Sequence, residues 1–378
     1  MRRIVYIAAI VAQACHAPTL WVGTALAPDS GAALGTAGEG LMEEQPAAAG
    51  IGGVGGHITE AVGGNVPVQT PAVDAGQQPT AAGHGGSQRD AGIAEAPPAE
   101  EEDAGTDDPP EVLTPSKLPT IEGQCPDMSE PGTYMFSGGG RSLMVDIKIA
   151  KGAKAMPAPG GPLILYFHSL GGVSAEVTKA FGQPAIDQVI AQGGVVASFT
   201  ASTCLRCGLA DDVVWYDEDD AVSDQVVACS MQQAHIDPRR IHAIGFSSGA
   251  LHSTHLALAR SSYIASVVSY SGGLPAGPLD VQDPANKVPA LLSFGREGID
   301  NAFLDFNIAS RDWYRMFAPQ GYYVLLCNHQ RGHEIPTELV PHALRFFADH
   351  PYRVNPEPYL KTVPTTYPSF CKNGPPSP

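Results

Sequence analysis

The 378-residue chain carries 39 acidic against 22 basic side chains, a formal net charge of −17, and no basic stripe of the kind a nucleic-acid partner requires. The acidity is local: residues 28–115 hold 15 Asp/Glu and one Arg, whereas residues 116–378 hold 24 acids against 19 bases. The overall charge therefore says little about what a folded domain would bind.

Residues 1–27 read as an export signal. Arg2 and Arg3 supply a positive start, and residues 4–12 form an apolar run too short to span a bilayer. Two endings fit. Ala12-Gln13-Ala14-Cys15 resembles a bacterial lipobox, with Ala12 where a larger aliphatic residue is typical, and would lipidate Cys15 and anchor the protein at an outer membrane or cell surface. Cleavage after Ala27 would instead release a secreted protein. Residues 28–115 are rich in Ala, Gly and Pro and nearly devoid of aromatics, too poor in apolar surface to offset the entropy of ordering. They are expected to be a disordered linker with a root-mean-square span of roughly 50 Å.

Residues 116–378 form the expected folded domain. Residues 143–149 read as a half-exposed strand, and 163–168, 195–199, 241–246, 264–269, 290–294 and 322–326 as buried ones. Helical segments are expected at 219–234, 250–260, 302–317 and 336–349, followed by a Pro-rich tail over 351–369. Strands alternating with helices imply an α/β class with a mostly parallel sheet covered on both faces. Ligands in such sheets bind beyond the carboxyl ends of the strands.

Beyond Cys15 there are six cysteines: Cys125, Cys204, Cys207, Cys229, Cys327 and Cys371. An even number in an exported chain points to disulfides, with the connectivity left open. Cys204-Leu205-Arg206-Cys207 has no second pair to complete a zinc site. Cys371 is placed to staple the tail to the domain. The acids Asp211, Asp212, Asp217, Glu218, Asp219 and Asp220 read as the solvated start of a helix rather than a calcium site. No metal and no cofactor are expected.

Gly245-Phe246-Ser247-Ser248-Gly249 stands between the strand at 241–246 and the helix at 250–260. A strand-to-helix turn of this kind exposes the middle serine hydroxyl, which makes Ser247 the candidate nucleophile. His168-Ser169-Leu170-Gly171-Gly172 follows a buried strand, and the N–H groups of Leu170 and Ser248 are the candidate oxyanion donors. His168 is expected to brace that loop. The turn after residue 294 offers Asp300 as the acid, with Glu297 and Asp305 as rivals and helix capping as its alternative role. After the last buried strand, His333 is the candidate base, with His329 and His342 as competitors.

The segments Val214-Trp215-Tyr216-Asp217 and Ile236-Asp237-Pro238-Arg239-Arg240, continuing through Gly245 to Ala250, resemble the exported esterases related to polyhydroxybutyrate depolymerases and feruloyl esterases. Tyr270-Ser271-Gly272-Gly273 and Gly332-His333 fit as well. The resemblance covers about residues 120–355. It implies an α/β-hydrolase fold, no cofactor, and hydrolysis of small-molecule or polymeric carboxylic esters through an acyl-enzyme. His168-Ser169 departs from the family's His-Gly at that strand end, and the family's acid sits closer to its glycine than Asp300 does to Gly295. A peptidase of the same fold, an acyltransferase and a non-catalytic surface binding protein stay open.

Overall fold

Successive side chains of a strand point to opposite faces, so a strand apolar at every position must be covered on both sides. The segment Gly161–Phe167 (β3) is buried at all seven positions and shows what this demands. Leu163, Leu165 and Phe167 enter one core cluster, Ile164 and Tyr166 another. The structure, a computed structural model, describes residues 113–157, 159–200, 215–275, 279–302 and 304–374. The signal region, Cys15, the linker up to residue 112, Cys204, Cys207, Asp211 and Asp212 lie outside the described residues.

Two antiparallel strands open the domain, Gly132–Gly138 (β1) and Arg141–Ile149 (β2). They are joined through Gly139 and Gly140, both at positive φ, the conformation a tight hairpin turn needs. After β3 come the helices Val177–Phe181 (α1) and Gln183–Ala191 (α2), then Val195–Phe199 (β4), Asp219–Gln233 (α3), Ile236–Phe246 (β5) and Ser248–Ala259 (α4). The order continues with Ser266–Tyr270 (β6), Ala290–Phe294 (β7), Phe306–Phe317 (α5), Val324–Asn328 (β8), Val340–Asp349 (α6) and Cys371–Asn373 (β9).

The strands form one sheet in the order β1-β2-β4-β3-β5-β6-β7-β8-β9. The six from β4 to β8 run parallel, and the edges on each side are antiparallel. Helices α3, α4 and α5 contribute Val222, Val226, Leu256 and Trp313 to one core cluster. Helices α1, α2 and α6 contribute Phe181, Ile186 and Phe346 to the other. This is the α/β-hydrolase fold expected from the sequence.

Two expected helices begin four residues late. The segment at 302 does not turn helical until Phe306, because Asp305 caps it by accepting from the N–H groups of Asn307 and Ile308. The last helix begins at Val340 rather than at 336. Disulfides join Cys125 to Cys229 and Cys327 to Cys371. The second ties the tail strand β9 to β8, opposite one another in the ladder.

The acidic cluster opens α3 as expected, with Asp217 and Glu218 exposed, but its next two acids are not solvated. Asp219 and Asp220 are buried, Asp219 against the Arg141 guanidinium at 2.7 Å and Asp220 against His255 and Arg260 at 3.2 and 3.5 Å. Two buried carboxylates stand here because cations from β2 and α4 reach them. Among the described residues no group of His, Cys, Asp and Glu side chains is arranged to hold a metal ion.

Candidate active site

A chain that leaves a strand and enters a helix within one residue needs an unusual backbone at the junction. Here that residue is Ser247, at φ 57° and ψ −120°, a conformation that costs a residue with a Cβ on the order of 1–3 kcal/mol. The surroundings enforce it. Ser247 N–H donates to the Tyr270 carbonyl at 2.9 Å, and its own carbonyl accepts from Ala250 and Leu251. Gly249 allows the helix to sit down on β3: a Cβ there would lie 2.1 Å from the Phe167 carbonyl oxygen and 2.4 Å from that of His168. The first turn of α4 is thereby pressed against the loop that follows β3.

Three side chains from three different strand ends meet. His333 Nε2 lies 2.9 Å from Ser247 Oγ, and its Nδ1 lies 2.8 Å from Asp300 Oδ1. A carboxylate only accepts, so Nδ1 carries the proton and Nε2 is left to accept from the serine hydroxyl. Asp300 is fully buried. Its Oδ2 accepts from Ser271 Oγ at 2.9 Å and from Gly295 N–H at 2.7 Å, so each oxygen has a partner and the carboxylate cannot rotate freely. Gly295 is required there because a Cβ would meet the Arg331 carbonyl oxygen at 2.1 Å and the Asp300 Cβ at 2.8 Å. The turns after β7 and β8 are in contact at that point. Asn307 Nδ2 also donates to the Gly295 carbonyl at 2.8 Å, fixing the acid turn from the side of α5.

The rivals are placed elsewhere. Asp305 caps α5 and accepts from Gly298 N–H at 2.6 Å, taking the capping role that Asp300 had as its alternative. Glu297 is exposed and pairs with Arg311 at 3.6 Å. His329 is buried, with Nδ1 accepting from Arg331 N–H at 3.3 Å, and burial holds its imidazole below the ordinary range. His342, on α6, packs against Tyr367 with centroids 4.7 Å apart and planes tilted by 30°.

The loop after β3 forms a turn closed by Gly172 N–H on the Ser169 carbonyl at 2.8 Å, with Gly171 at φ 72°. His168 is buried, its Nδ1 2.7 Å from the Ser169 carbonyl, and its own carbonyl accepts from Trp215 Nε1 at 2.9 Å. Burial lowers the His168 pKa, which keeps it a neutral brace. Leu170 is 39% exposed, and among the described residues its N–H has no hydrogen-bond acceptor. Ser248 is the first residue of α4, where a helix leaves its N–H groups without intrahelical acceptors.

Sequence reasoning did not single out four groups around this site. Ser271, at φ 46°, holds Asp300. Phe246 and Phe306 stack on His333, with centroids 4.9 and 4.7 Å away. Glu176 grips Ser169. The available signals were Ser271 within Tyr270-Ser271-Gly272-Gly273 and Phe246 within the serine turn itself.

Comparison with known proteins agrees with this architecture. No family model matches the chain. A curated relative, "Putative esterase NocK" of Nocardia uniformis subsp. tsuyamanensis, is 32% identical over 164 residues, which are 41% of this chain and 45% of NocK. The chain thus matches somewhat under half the length of that relative. Among solved structures, native pOPH superposes with a TM-score of 0.52 at 16% identity, over 67% of this chain and 98% of that one. Native sOPH gives 0.52 at 14% identity, over 68% and 97%. At such identities the superpositions establish the fold. The α/β-hydrolase fold implied by the resemblance over about residues 120–355 is borne out, and the NocK relative carries an esterase's name.

Proposed function

We propose that this protein is an exported serine esterase that hydrolyses carboxylic esters through an acyl-enzyme. The observation that carries the reading is the continuous hydrogen-bonded path from Ser247 Oγ through His333 to Asp300. In this mechanism His333 Nε2 takes the hydroxyl proton as Ser247 Oγ bonds to the ester carbonyl carbon. The resulting oxyanion is held by the N–H groups of Ser248 and Leu170. Collapse of the tetrahedral intermediate breaks the bond to the alcohol, which leaves with the proton from His333. Water then attacks the acyl-enzyme by the same route in reverse, and Asp300 steadies the imidazolium formed at each stage. Nothing in this sequence of steps calls for a metal or cofactor.

The name of the NocK relative supports ester chemistry. Two disulfides support export, as does the signal-like start of the sequence; lipidation at Cys15 would tether the enzyme to a membrane surface.

The test is hydrolysis of p-nitrophenyl butyrate by wild type and S247A, alongside fluorophosphonate labelling. Turnover and labelling that vanish in S247A are the expected result. Full activity in S247A would remove the proposed nucleophile. A folded wild-type protein that neither turns over esters nor labels would be a binding protein on this fold. Faster cleavage of chromogenic peptides than of esters would make it a peptidase, and partitioning of the acyl group to added alcohol would mark an acyltransferase.

A further inference from the structure

We infer that Glu176 is a positioning residue for the oxyanion loop, holding the Leu170 N–H through a grip on Ser169. The inference rests on the serine esterase reading above. Glu176 closes the single-turn helix Ser174–Glu176, just before α1, and its carboxylate makes three hydrogen bonds. Oε2 accepts from Ser169 N–H at 2.7 Å and from Tyr166 OH at 2.8 Å, and Oε1 accepts from Ser169 Oγ at 2.8 Å. Ser169 is the residue directly before Leu170, so its backbone orientation sets the direction of the Leu170 N–H. The bond from Gly172 N–H to the Ser169 carbonyl closes the turn on the other side.

A glycine at position 169 could offer Glu176 only its backbone N–H. The serine gives the carboxylate a second point of attachment, and two bonds from one residue fix its rotation as one cannot. Tyr166 anchors the carboxylate from below: burial, with the adjacent Glu176 charge, keeps the phenol well above its ordinary range, so it remains a donor. The rest of the support is rigid. Ser198 Oγ on β4 donates to the Ser174 carbonyl at 2.6 Å, and Trp215 Nε1 holds the His168 carbonyl. A charge near a developing oxyanion would repel it, but three donors occupy this carboxylate and direct it away from that role. Oxyanion donors act by being in place before charge develops, and a loop free to turn would lose that advantage without losing substrate contact.

The experiment compares wild type, E176A, E176Q and S169A in two measurements: kcat and KM on p-nitrophenyl butyrate, and hydrogen–deuterium exchange over residues 168–173. E176A is expected to lower kcat roughly 10- to 100-fold with KM within about threefold, and to speed exchange of that segment while β3 stays protected. E176Q retains an acceptor for Ser169 N–H and Tyr166 OH and is expected to recover kcat to within about threefold of wild type, a rescue that a bulk packing role would not predict. S169A is expected to fall between. Unchanged kcat in E176A, loss confined to KM, or E176Q as damaged as E176A would each overturn the assignment. If E176A does not fold, S169A decides: wild-type kcat and exchange in that variant overturn it. A wild type without ester turnover fails the esterase reading, and this inference with it; an active wild type with an indifferent E176A fails this inference alone.

Discussion

The imidazole of His333 stacks on the ring of Phe306, with centroids 4.7 Å apart and planes inclined by 21°. Phe306 is fully buried, and its N–H donates to the Asp300 carbonyl at 2.9 Å. One residue at the start of α5 therefore touches both partners of the proposed nucleophile. Phe246, on the strand side of the serine turn, adds a second stacked ring at 4.9 Å. With Asp300 fixing Nδ1, the two rings restrict the tilt of the imidazole plane.

Phe306→Ala is accordingly expected to cut kcat about tenfold on p-nitrophenyl butyrate, because misorientation of His333, the proposed base, is expensive. It should also lower stability by about 3 kcal/mol through the cavity left behind. Phe306→Leu, which fills most of that volume, should restore stability more fully than kcat. Steady-state kinetics and denaturant melts on the two variants separate orientation from packing; equal recovery of both would argue that the ring only fills space.

Asp300→Asn tests the acid more sharply than deletion. The amide can present Nδ2 to His333 Nδ1, which then accepts, so the proton moves to Nε2 and the imidazole can no longer take one from Ser247. A loss of about 10⁴ in kcat is expected with the fold intact. Glu297→Gln and Asp305→Ala, at the rival carboxylates, should leave kcat within about threefold, with D305A lowering stability by about 1 kcal/mol through the lost cap.

The parts of this site that could be read in the sequence are those set by local chemistry. A glycine-flanked serine between an apolar run and a helix has few alternative structures, so Ser247 and the strand before it were legible. His333 followed from its place after the last buried strand. Asp300 was harder to choose, because Asp305 lies five residues away and cap geometry depends on where the helix begins. That start was placed at 302, and the backbone turns only at Phe306. The hairpin strand β1 was missed although Gly139-Gly140 is a tight-turn signal, since the alternation in Thr133 to Ser137 is short. The acids at 219 and 220 were read as solvated because their cations, Arg141 and Arg260, come from distant parts of the chain. Glu176 was invisible although it follows Ser169 within the same loop, because only the folded path of that loop turns its carboxylate back onto Ser169.

Gly249→Ala isolates the junction between α4 and β3. The added Cβ would lie 2.1 Å from one backbone oxygen and 2.4 Å from the next, and neither can move without shifting the strand. A loss of about 3 kcal/mol is expected. Displacing the Ser248 N–H relative to the Leu170 loop should also lower kcat in whatever protein folds. Urea melts together with kinetics on the soluble fraction measure both; a variant of wild-type stability would mean that the helix does not sit on β3 as described.

His242 makes the pH dependence of stability testable. It lies on β5, fully buried, with Nδ1 2.9 Å from Ser266 Oγ and its ring stacked on Phe347 at 4.6 Å. Burial, then the nearby Arg240 and His350, hold its pKa well below the ordinary 6.5. As the pH falls below about 6.5 the unfolded chain takes up this proton and the native protein does not. The stability contributed by the neutral imidazole is full above 6.5 and is lost as the pH drops, by up to about 1.4 kcal/mol per unit. Asp219, pushed up to about 6 by burial against the opposing pull of Arg141, acts in the other direction, favouring the native state as pH falls through 6. The wild-type slope is a sum of such terms, so the informative quantity is a difference. His242→Gln removes one titrating group and leaves Asp219 unchanged. Between pH 7.5 and 5 the stability gap between wild type and H242Q should narrow by about 1–2 kcal/mol, measured by urea unfolding at each pH. A gap constant across that range would show that His242 titrates alike in the folded and unfolded chain.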